Sequence, residues 1–252
     1  MQLEPTQWIV AVIAALLVGV SKTGIGGLGM LAVVLFAQIM PAKQATGVVL
    51  PLLCFGDIVA VASYRQHARW KHLWRLFPWT AGGVIVGYFA LGRISESHAR
   101  ELIGGIVLVL TILHVVRRKV YGHEAEHGAW FPPVIGVLAG FTTLVANAAG
   151  PLMAIYPLAM RLPKLDFVGT GAVFFMLLNL FKVPFMINLG LINAQSFTLN
   201  LWLAPAVFLG ALAGRGILKR IDQRWFENLA LMLSAVAALE LIFRLSSHVR
   251  IG

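Results

Sequence analysis

The stretch GVSKTGIGGLG, from Gly19 to Gly29, decides how this chain folds. It places one lysine, two hydroxyl side chains and five glycines inside an apolar run that extends from residue 8 to residue 36. As a single helix, this run of 29 residues would be roughly 43 Å long, whereas the hydrocarbon core of a bilayer is about 30 Å thick. Glycine and hydroxyl residues also weaken helix propagation. The sequence therefore predicts a break in the middle of the run and a re-entrant hairpin of two half-helices.

The composition indicates a membrane protein. Hydrophobic residues make up 59% of the chain and charged residues 12%, whereas soluble globular chains have about 25% charged residues. Long apolar runs joined by short polar links account for nearly all 252 residues. We therefore predict one all-α, polytopic membrane domain over residues 1–252. The apolar runs are 8–36, 44–64, 76–92, 101–116, 131–160, 166–190, 197–214 and 225–243.

Charge and cysteine content narrow the expected partners. The formal net charge is +10, but the basic residues lie at the ends of apolar runs, as expected beside anionic lipid headgroups. We therefore expect the lipid bilayer as a partner and no nucleic acid. Cys54 is the only cysteine, which excludes an intramolecular disulfide and a thiolate metal cluster. We predict no cofactor and no metal, and the sequence leaves open whether the chain forms a homo-oligomer. The start MQLEPTQ lacks the features of a removed signal peptide, so we expect it to be retained.

A second broken run sets the predicted topology. The run 131–160 is also too long for one crossing, and it is interrupted by GFTTLVANAAGP, from Gly140 to Pro151. If every run crossed once, the 18 loop lysines and arginines would be divided equally between the two sides. If the two broken runs return to the side they entered, 13 lie on one side and 5 on the other. Because cytoplasmic loops collect basic residues, we predict six full crossings, both termini outside and residues 65–75 in the cytoplasm.

The two halves of the chain show the same order of segments. Each has a broken run, a run that contains polar residues and a run with a GxxxG-like pair of glycines, which indicates an internal repeat. Repeat 1 covers about residues 8–116 and repeat 2 about residues 131–245, each a hairpin followed by three transmembrane helices. Three crossings per half would invert the second repeat, and inverted repeats with broken helices are typical of transporters. The aligned pairs are Gly19 with Gly140, Gly29 with Gly150, Pro41 with Pro163, Gly47 with Gly169, Pro78 with Pro205, Gly83 with Gly210, Gly87 with Gly214 and Ile94 with Ile221.

Several stretches resemble the TauE/SafE family of membrane anion transporters, also called sulfite exporters. They are GVSKTGIGGLGML, ATGVVLPLLCFGDIVAVASYR, the segment from Trp70 to Gly87, TTLVANAAGP and LPKLDFVGTGAVFFMLLNLFKVPF. The resemblance covers nearly the whole chain. It implies a secondary carrier in the plasma (bacterial inner) membrane for small organic or sulfur-containing anions, such as sulfite, sulfoacetate or other sulfonates.

The lysine in the opening stretch is the first candidate ligand for such an anion. Lys22 near the bilayer centre would cost about 2.5 to 3.5 kcal/mol on insertion scales, so it should face a polar cavity or a partner. Backbone N–H groups at the start of a returning half-helix also attract an anion. The alternative is that Lys22 snorkels and the glycines only permit tight packing. The predicted anion ligands of the two hairpins are Ser21, Lys22, Thr23, Gly24, Gly26, Gly27, Asn147, Ala148 and Gly150.

Two other runs carry polar side chains that complete the predicted site. Asn179 and Lys182 lie at i and i+3, on one helix face, and we predict both as substrate ligands. Asp57 aligns with Asn179 in the repeat, and it could pair with a lysine or titrate as a proton-coupling group. With Lys22 and Lys182, it gives the interior a charge of +1, which a monovalent anion would neutralise.

Two alternatives to an anion carrier stay open. The first is an anion channel, which needs one continuous wet path in place of two gates. The second is a membrane zinc enzyme, because HEAEH, from His123 to His127, matches the HExxH pattern. That motif lies in a loop outside the apolar runs and has no evident third ligand, so we predict a transporter and not an enzyme. The sequence names neither the anion nor a coupling ion.

Overall fold

The computed structural model describes residues 3–23, 28–120, 130–150, 152–153 and 162–217, with residues 232, 235, 236 and 239. Within these ranges the secondary structure is helical, with no strand, which confirms the predicted all-α class. A short 3-10 turn at Arg65–His67 follows the third helix. The α-helices are α1 (Pro5–Thr23), α2 (Leu28–Ile39), α3 (Ala42–Tyr64), α4 (Trp70–Arg93), α5 (Glu96–Val120), α6 (Phe131–Ala146), α7 (Lys164–Asn188) and α8 (Ala194–Ile217).

Four of the described helices are long and apolar enough to cross a membrane. These spans are Pro5–Lys22, Ala42–His67, Leu165–Asn188 and Ala194–Gly214. Large apolar side chains point outward from them, such as Ile9, which is 61% exposed, and Trp202, which is 74% exposed. Such a surface suits contact with lipid. Helices α4 and α5 have 24 and 25 residues and are also long enough to span, although they carry more charge. The predicted last run, 225–243, lies almost entirely outside the described residues.

The first hairpin differs in proportion from the predicted pair of half-helices. Helix α1 has 19 residues and α2 has 12, so their lengths are roughly 28 Å and 18 Å. The first arm is therefore long enough to cross a membrane alone. The reason is that the helix already begins at Pro5, where proline is tolerated in a first turn, and continues through Lys22. Helix α2 packs against α1.

The predicted interruption of the second long run is present. Helix α6 ends at Ala146, and its C-cap residue Asn147 has a left-handed backbone with φ of 49°. Helical structure resumes at residue 150. An asparagine tolerates this conformation better than most residues, which explains why the helix stops there. The second long run is therefore interrupted at Asn147.

Glycines set the contact between the first hairpin and the last described helix. A Cβ atom at Gly19 in α1 would lie 2.0 Å from the carbonyl oxygen of Val207 in α8. A Cβ atom at Gly210 in α8 would lie 2.2 Å from the carbonyl oxygen of Leu16. Both distances are shorter than any real Cβ contact, so only glycine permits this approach of the two backbones.

Helices α6 and α4 make the matching contact in the other half. A Cβ atom at Gly140 would lie 2.0 Å from the carbonyl oxygen of Thr80, and one at Gly83 would lie 2.1 Å from that of Val137. Gly140 and Val137 follow Gly19 and Leu16 of α1 by 121 positions. Thr80 and Gly83 precede Val207 and Gly210 of α8 by 127 positions. The first helix of each hairpin, α1 or α6, therefore packs on the helix of the opposite half that carries the GxxxG-like glycine pair, α8 or α4.

A third pair of close glycine contacts also lies at equivalent positions of the two halves. A Cβ atom at Gly47 would lie 2.3 Å from the carbonyl oxygen of Leu191, and one at Gly169 would lie 2.5 Å from that of Tyr64. Gly169 follows Gly47 by 122 positions, and Leu191 follows Tyr64 by 127. These repeated contacts support the internal repeat that we predict from the sequence. The first helix after each hairpin, α3 or α7, is called the middle helix of its half. The two middle helices pack directly against each other.

Candidate functional site

An ion pair joins the first hairpin to the middle helix of its own half. The Nζ atom of Lys22, in the last turn of α1, lies 2.7 Å from Oδ1 of Asp57 in α3. Their side chains are only 10% and 1% exposed. Lys22 Nζ also lies 5.0 Å from the centre of the Phe175 ring, within range of a cation–π interaction. The structure therefore gives Lys22 partners inside the bundle, and it does not snorkel.

A glycine makes room for this lysine. A Cβ atom at Gly56 would lie 2.8 Å from Cγ of Lys22 and 3.4 Å from its Cβ. The aliphatic stem of Lys22 therefore passes directly over the backbone of α3 before its ammonium reaches Asp57. A larger residue at position 56 would displace that stem.

The second oxygen of Asp57 bonds to the other middle helix. Asn179 Nδ2, in α7, donates to Asp57 Oδ2 at 2.6 Å, and both side chains are fully buried. Asn179 follows Asp57 by 122 positions, the same offset as for Gly47 and Gly169. The two aligned positions therefore meet where the two halves of the protein contact each other.

Lys182 lies on the same helix as Asn179 but bonds to the second hairpin. Its Nζ donates to the carbonyl oxygen of Thr143 at 3.0 Å, to Thr143 Oγ1 at 3.0 Å and to Asn147 Oδ1 at 2.7 Å. Asn147 Nδ2 in turn donates to the carbonyl oxygen of Thr46 in α3, at 2.9 Å. Lys182 is fully buried, and all three of its N–H donors are used by the protein.

A cavity of about 190 Å³ lies between these polar groups. Both hairpins and both middle helices contribute to its wall. Apolar side chains form most of the remaining surface, including Leu53, Phe167 and Phe175. The polar residues that line it are Ser21, Lys22, Asp57, Thr143, Asn147 and Asn179, and glycines at positions 29, 150 and 171 bring the backbone to its surface.

The structure brings many of the predicted site residues to this cavity. Lys22, Asp57, Asn147, Gly150 and Asn179 all line it. Residues that we predicted from separate stretches of the sequence thus line one cavity.

Of the other predicted ligands, one lines the cavity, and the rest lie elsewhere or outside the described residues. Ser21 lines the cavity, although its hydroxyl donates to the carbonyl oxygen of Val18 at 2.7 Å. Ala148 is fully buried, and neither it nor Lys182 lines the cavity. Thr23 is the last residue of α1. Gly24, Gly26 and Gly27 lie outside the described residues, as do His123 to His127 of the HEAEH motif.

Sequence reasoning missed three residues of the site. Thr143, Gly56 and Phe175 contact the charged groups, and none was predicted as a ligand. One signal points to Thr143, because the offset of 121 that aligns Gly19 with Gly140 also aligns Lys22 with Thr143. The sequence holds no comparable signal for Phe175, which is one of 15 phenylalanines in the chain.

The arrangement favours a bound anion over a bound cation. With both lysines protonated and Asp57 ionised, Lys22, Asp57 and Lys182 carry a formal charge of +1. The first turn of α2 reaches the cavity at Gly29 and Met30. The N–H groups of a first helical turn lack intrahelical partners, and the helix dipole is positive at that end. Thr143 Oγ1 accepts from Lys182 and still has its own hydrogen to donate. Within the described residues, no three His, Cys, Asp or Glu side chains are grouped to hold a metal ion.

One comparison with known proteins identifies a family for this chain. No curated protein and no solved structure matches the chain significantly. A family model described as sulfite exporter TauE/SafE matches residues 11–241, which include every residue that lines the cavity. Together with the four apolar helices, this match makes the chain a multi-pass membrane protein of the anion-transporting kind. The chain belongs to the TauE/SafE family of sulfite exporters.

Proposed function

We propose that this protein is a secondary transporter that exports a small organic or sulfur-containing anion of the sulfite and sulfonate class. The observation that carries the proposal is a cavity inside an apolar helix bundle that is lined by Lys22 and has an excess of positive charge around it. Charged residues inside membrane proteins commonly mark the path of a substrate or ion. The anion would lie between the two hairpins, in contact with Lys22 and with the first turn of α2.

The size and lining of the cavity support a small substrate. A volume of about 190 Å³ suits an anion of few atoms, and the apolar wall around Leu53 and Phe175 suits a short carbon body. Nδ2 of Asn147 and Nδ2 of Asn179 each donate one hydrogen to the protein, and the second hydrogen of each would orient the anion. Burying a small number of polar groups in a mostly apolar wall is the usual way in which proteins select a small ligand.

Alternating access is supported by the repeated helix contacts. The contacts of Gly19 with α8 and of Gly140 with α4 have the same geometry in the two halves. In transporters built from inverted repeats, such equivalent contacts allow the two halves to exchange conformations around a central site. We propose that repeat 2, about residues 131–245, is inverted relative to repeat 1, about residues 8–116, with both termini outside the plasma membrane.

The direction of transport follows from charge. A membrane potential of 100 mV, negative inside, is worth about 2.3 kcal/mol per elementary charge, which expels a monovalent anion to a gradient of roughly fifty-fold. Export therefore needs no coupling ion. Accumulation would need a co-transported cation, and Asp57 is the carboxylate of the cavity wall that could carry a proton.

Counterflow in proteoliposomes tests the proposal. The purified chain is reconstituted with unlabelled sulfite or methanesulfonate inside, and the entry of the labelled anion is followed. A carrier is expected to give saturable entry that is accelerated by anion on the opposite side. Entry that rises linearly with concentration and shows no counterflow would contradict the carrier and favour an anion channel. No anion entry above that of empty liposomes would contradict both.

A further inference from the structure

We propose that Lys182 is a tethered cation, whose ammonium group occupies a monovalent-cation site formed by Thr143 and Asn147 at the turn of the second hairpin. Thr143 and Asn147 also line the cavity, and the bound ammonium holds the turn in place. The inference rests on the geometry of these three residues and does not depend on which anion is transported.

The contacts of the ammonium group resemble the coordination of an ion. Nζ lies 3.0 Å from the carbonyl oxygen of Thr143, 3.0 Å from its hydroxyl oxygen and 2.7 Å from Oδ1 of Asn147. All three acceptors are uncharged oxygen atoms, the ligand type that hard cations prefer. In transporters with broken helices, carbonyl oxygens at the ends of half-helices coordinate such cations.

The position at the end of α6 also favours a positive charge. Thr143 lies in the last turn of that helix and Asn147 is its left-handed cap, so both lie at the negative end of the helix dipole. Asn147 is fixed on its other side, because Nδ2 donates to the carbonyl oxygen of Thr46. The two acceptors are therefore held in place by groups other than the ammonium.

Comparison of the two halves shows that the arrangement is specific to the second hairpin. At the offset of 122 that aligns Asp57 with Asn179, Lys182 aligns with Ala60, so the first half has no lysine at that position. In the first half the ammonium is on the hairpin, and its acceptor is the carboxylate of Asp57. In the second half the ammonium is on the middle helix, and its acceptors are neutral. Each half thus joins its hairpin to its middle helix through one ammonium group.

The neutral acceptors can be reached when the lysine side chain is shortened. Thr143 and Asn147 both line the cavity, although Lys182 does not. Truncation of Lys182 to alanine would leave a channel three carbons and one nitrogen long, from its Cβ to the two acceptors. That space matches the n-propylammonium ion, which carries its charge on the same kind of –NH₃⁺ group.

Chemical rescue of the full-length chain tests the inference. The Lys182→Ala variant is expected to unfold at a lower temperature than the parent in detergent. Its apparent Tm should rise saturably, by about 3 °C or more, as n-propylammonium chloride replaces choline chloride at constant ionic strength. The parent should not respond. A matched control is Lys43→Ala, because Lys43 Nζ also donates to a backbone carbonyl, that of Ile94, but lies in a partly buried position at the start of α3.

A second variant separates charge from hydrogen bonding. Lys182→Gln keeps two N–H donors but has no charge, and it is expected to be less stable than the parent. Stability equal to that of the parent would show that hydrogen bonds suffice and would overturn the proposal. So would equal responses of Lys182→Ala and Lys43→Ala to n-propylammonium.

If Lys182→Ala cannot be purified in choline chloride, it is purified with n-propylammonium present throughout. If folded protein is obtained only with the amine present, the proposal is supported. If no folded protein is obtained under either condition, the proposal is contradicted. These readouts involve no transport, so their failure leaves the proposed export of anions untouched.

Discussion

Lys22 Nζ and Asp57 Oδ1 lie 2.7 Å apart at the wall of the cavity. The lysine that we propose as the anion ligand therefore already has a counter-charge. An arriving anion competes with Asp57 for the same ammonium group, and protonation of Asp57 would release Lys22. The ion pair thus offers a direct way to link anion binding to a proton.

The first prediction concerns the Asp57→Asn variant. In the parent, anion flux should increase as the pH falls, because a protonated Asp57 no longer competes for Lys22. In Asp57→Asn the competition is removed at every pH, so the efflux should be electrogenic and independent of pH. Transport currents across a pH series in both proteins measure this. If the two proteins show the same pH dependence, Asp57 has no part in coupling and is a structural partner of Lys22.

The second prediction uses two neighbouring glycines of α4. A Cβ atom at Gly83 would lie 2.1 Å from the carbonyl oxygen of Val137, whereas none of the surrounding atoms lies within 4 Å of one at Gly82. Gly83→Ala should therefore lower the free energy of unfolding by about 1–3 kcal/mol or more, because the backbones must separate. Gly82→Ala should be neutral or slightly stabilising, since alanine favours a helix. Thermal unfolding of both variants in detergent is the measurement, and equal stability would contradict the helix contact.

The third prediction tests how Lys22 is positioned. Gly56→Ala would push against Cγ of Lys22, which lies 2.8 Å from the expected Cβ. The variant keeps every charge of the site but should bind the anion about tenfold more weakly, a loss of about 1.4 kcal/mol. Gly105→Ala is the control, because a Cβ there would meet nothing within 4 Å. Titration calorimetry measures the anion affinity of both variants. An affinity for Gly56→Ala equal to that of the control would contradict the predicted contact.

The fourth prediction concerns topology. Gln66 and Ser97 are exposed near opposite ends of α4, and Cys54 is the only native cysteine. In a Cys54→Ser background, a membrane-impermeant maleimide added to intact cells should label Ser97→Cys and leave Gln66→Cys unlabelled. The opposite pattern would place residues 65–75 outside and contradict the predicted orientation.

The sequence predicted the polar partners best where a charge interrupted an apolar run. A charge inside a membrane needs a partner, so the sequence indicated that Asp57 could pair with either Lys22 or Lys182. The structure pairs it with Lys22. The spacing of Asn179 and Lys182 placed them on one helix face but not against a particular neighbour. In the structure Asn179 contacts Asp57, whereas Lys182 contacts the turn of the second hairpin.

Other features depend on packing and leave little trace in one sequence. The break at Asn147 was predicted from the glycines, hydroxyls and asparagine of the surrounding stretch. The length of α1 was not predicted, because proline and polar residues are tolerated in a first helical turn. The approach of Phe175 to Lys22 depends on how α7 is rotated against the first hairpin. No periodicity in an apolar run settles that rotation, because nearly every face of the helix is hydrophobic.

The central claim is that an anion binds in the cavity through Lys22. Removing the lysine leaves Asp57 buried without its counter-charge, which can cost about 3–5 kcal/mol of stability. The Lys22→Ala/Asp57→Asn double variant avoids this loss and keeps the folded state comparable with the parent. Lys22→Arg should also bind poorly, because a planar guanidinium does not replace a compact ammonium beside Gly56.

The most direct test is calorimetric titration of sulfite and methanesulfonate into the parent, the Lys22→Ala/Asp57→Asn variant and Lys43→Ala. We predict that the parent and Lys43→Ala bind at least one of these anions with equal affinity. The double variant should bind it at least tenfold more weakly, a difference of about 1.4 kcal/mol, while its thermal unfolding stays cooperative. Equal affinity in all three proteins would contradict the account.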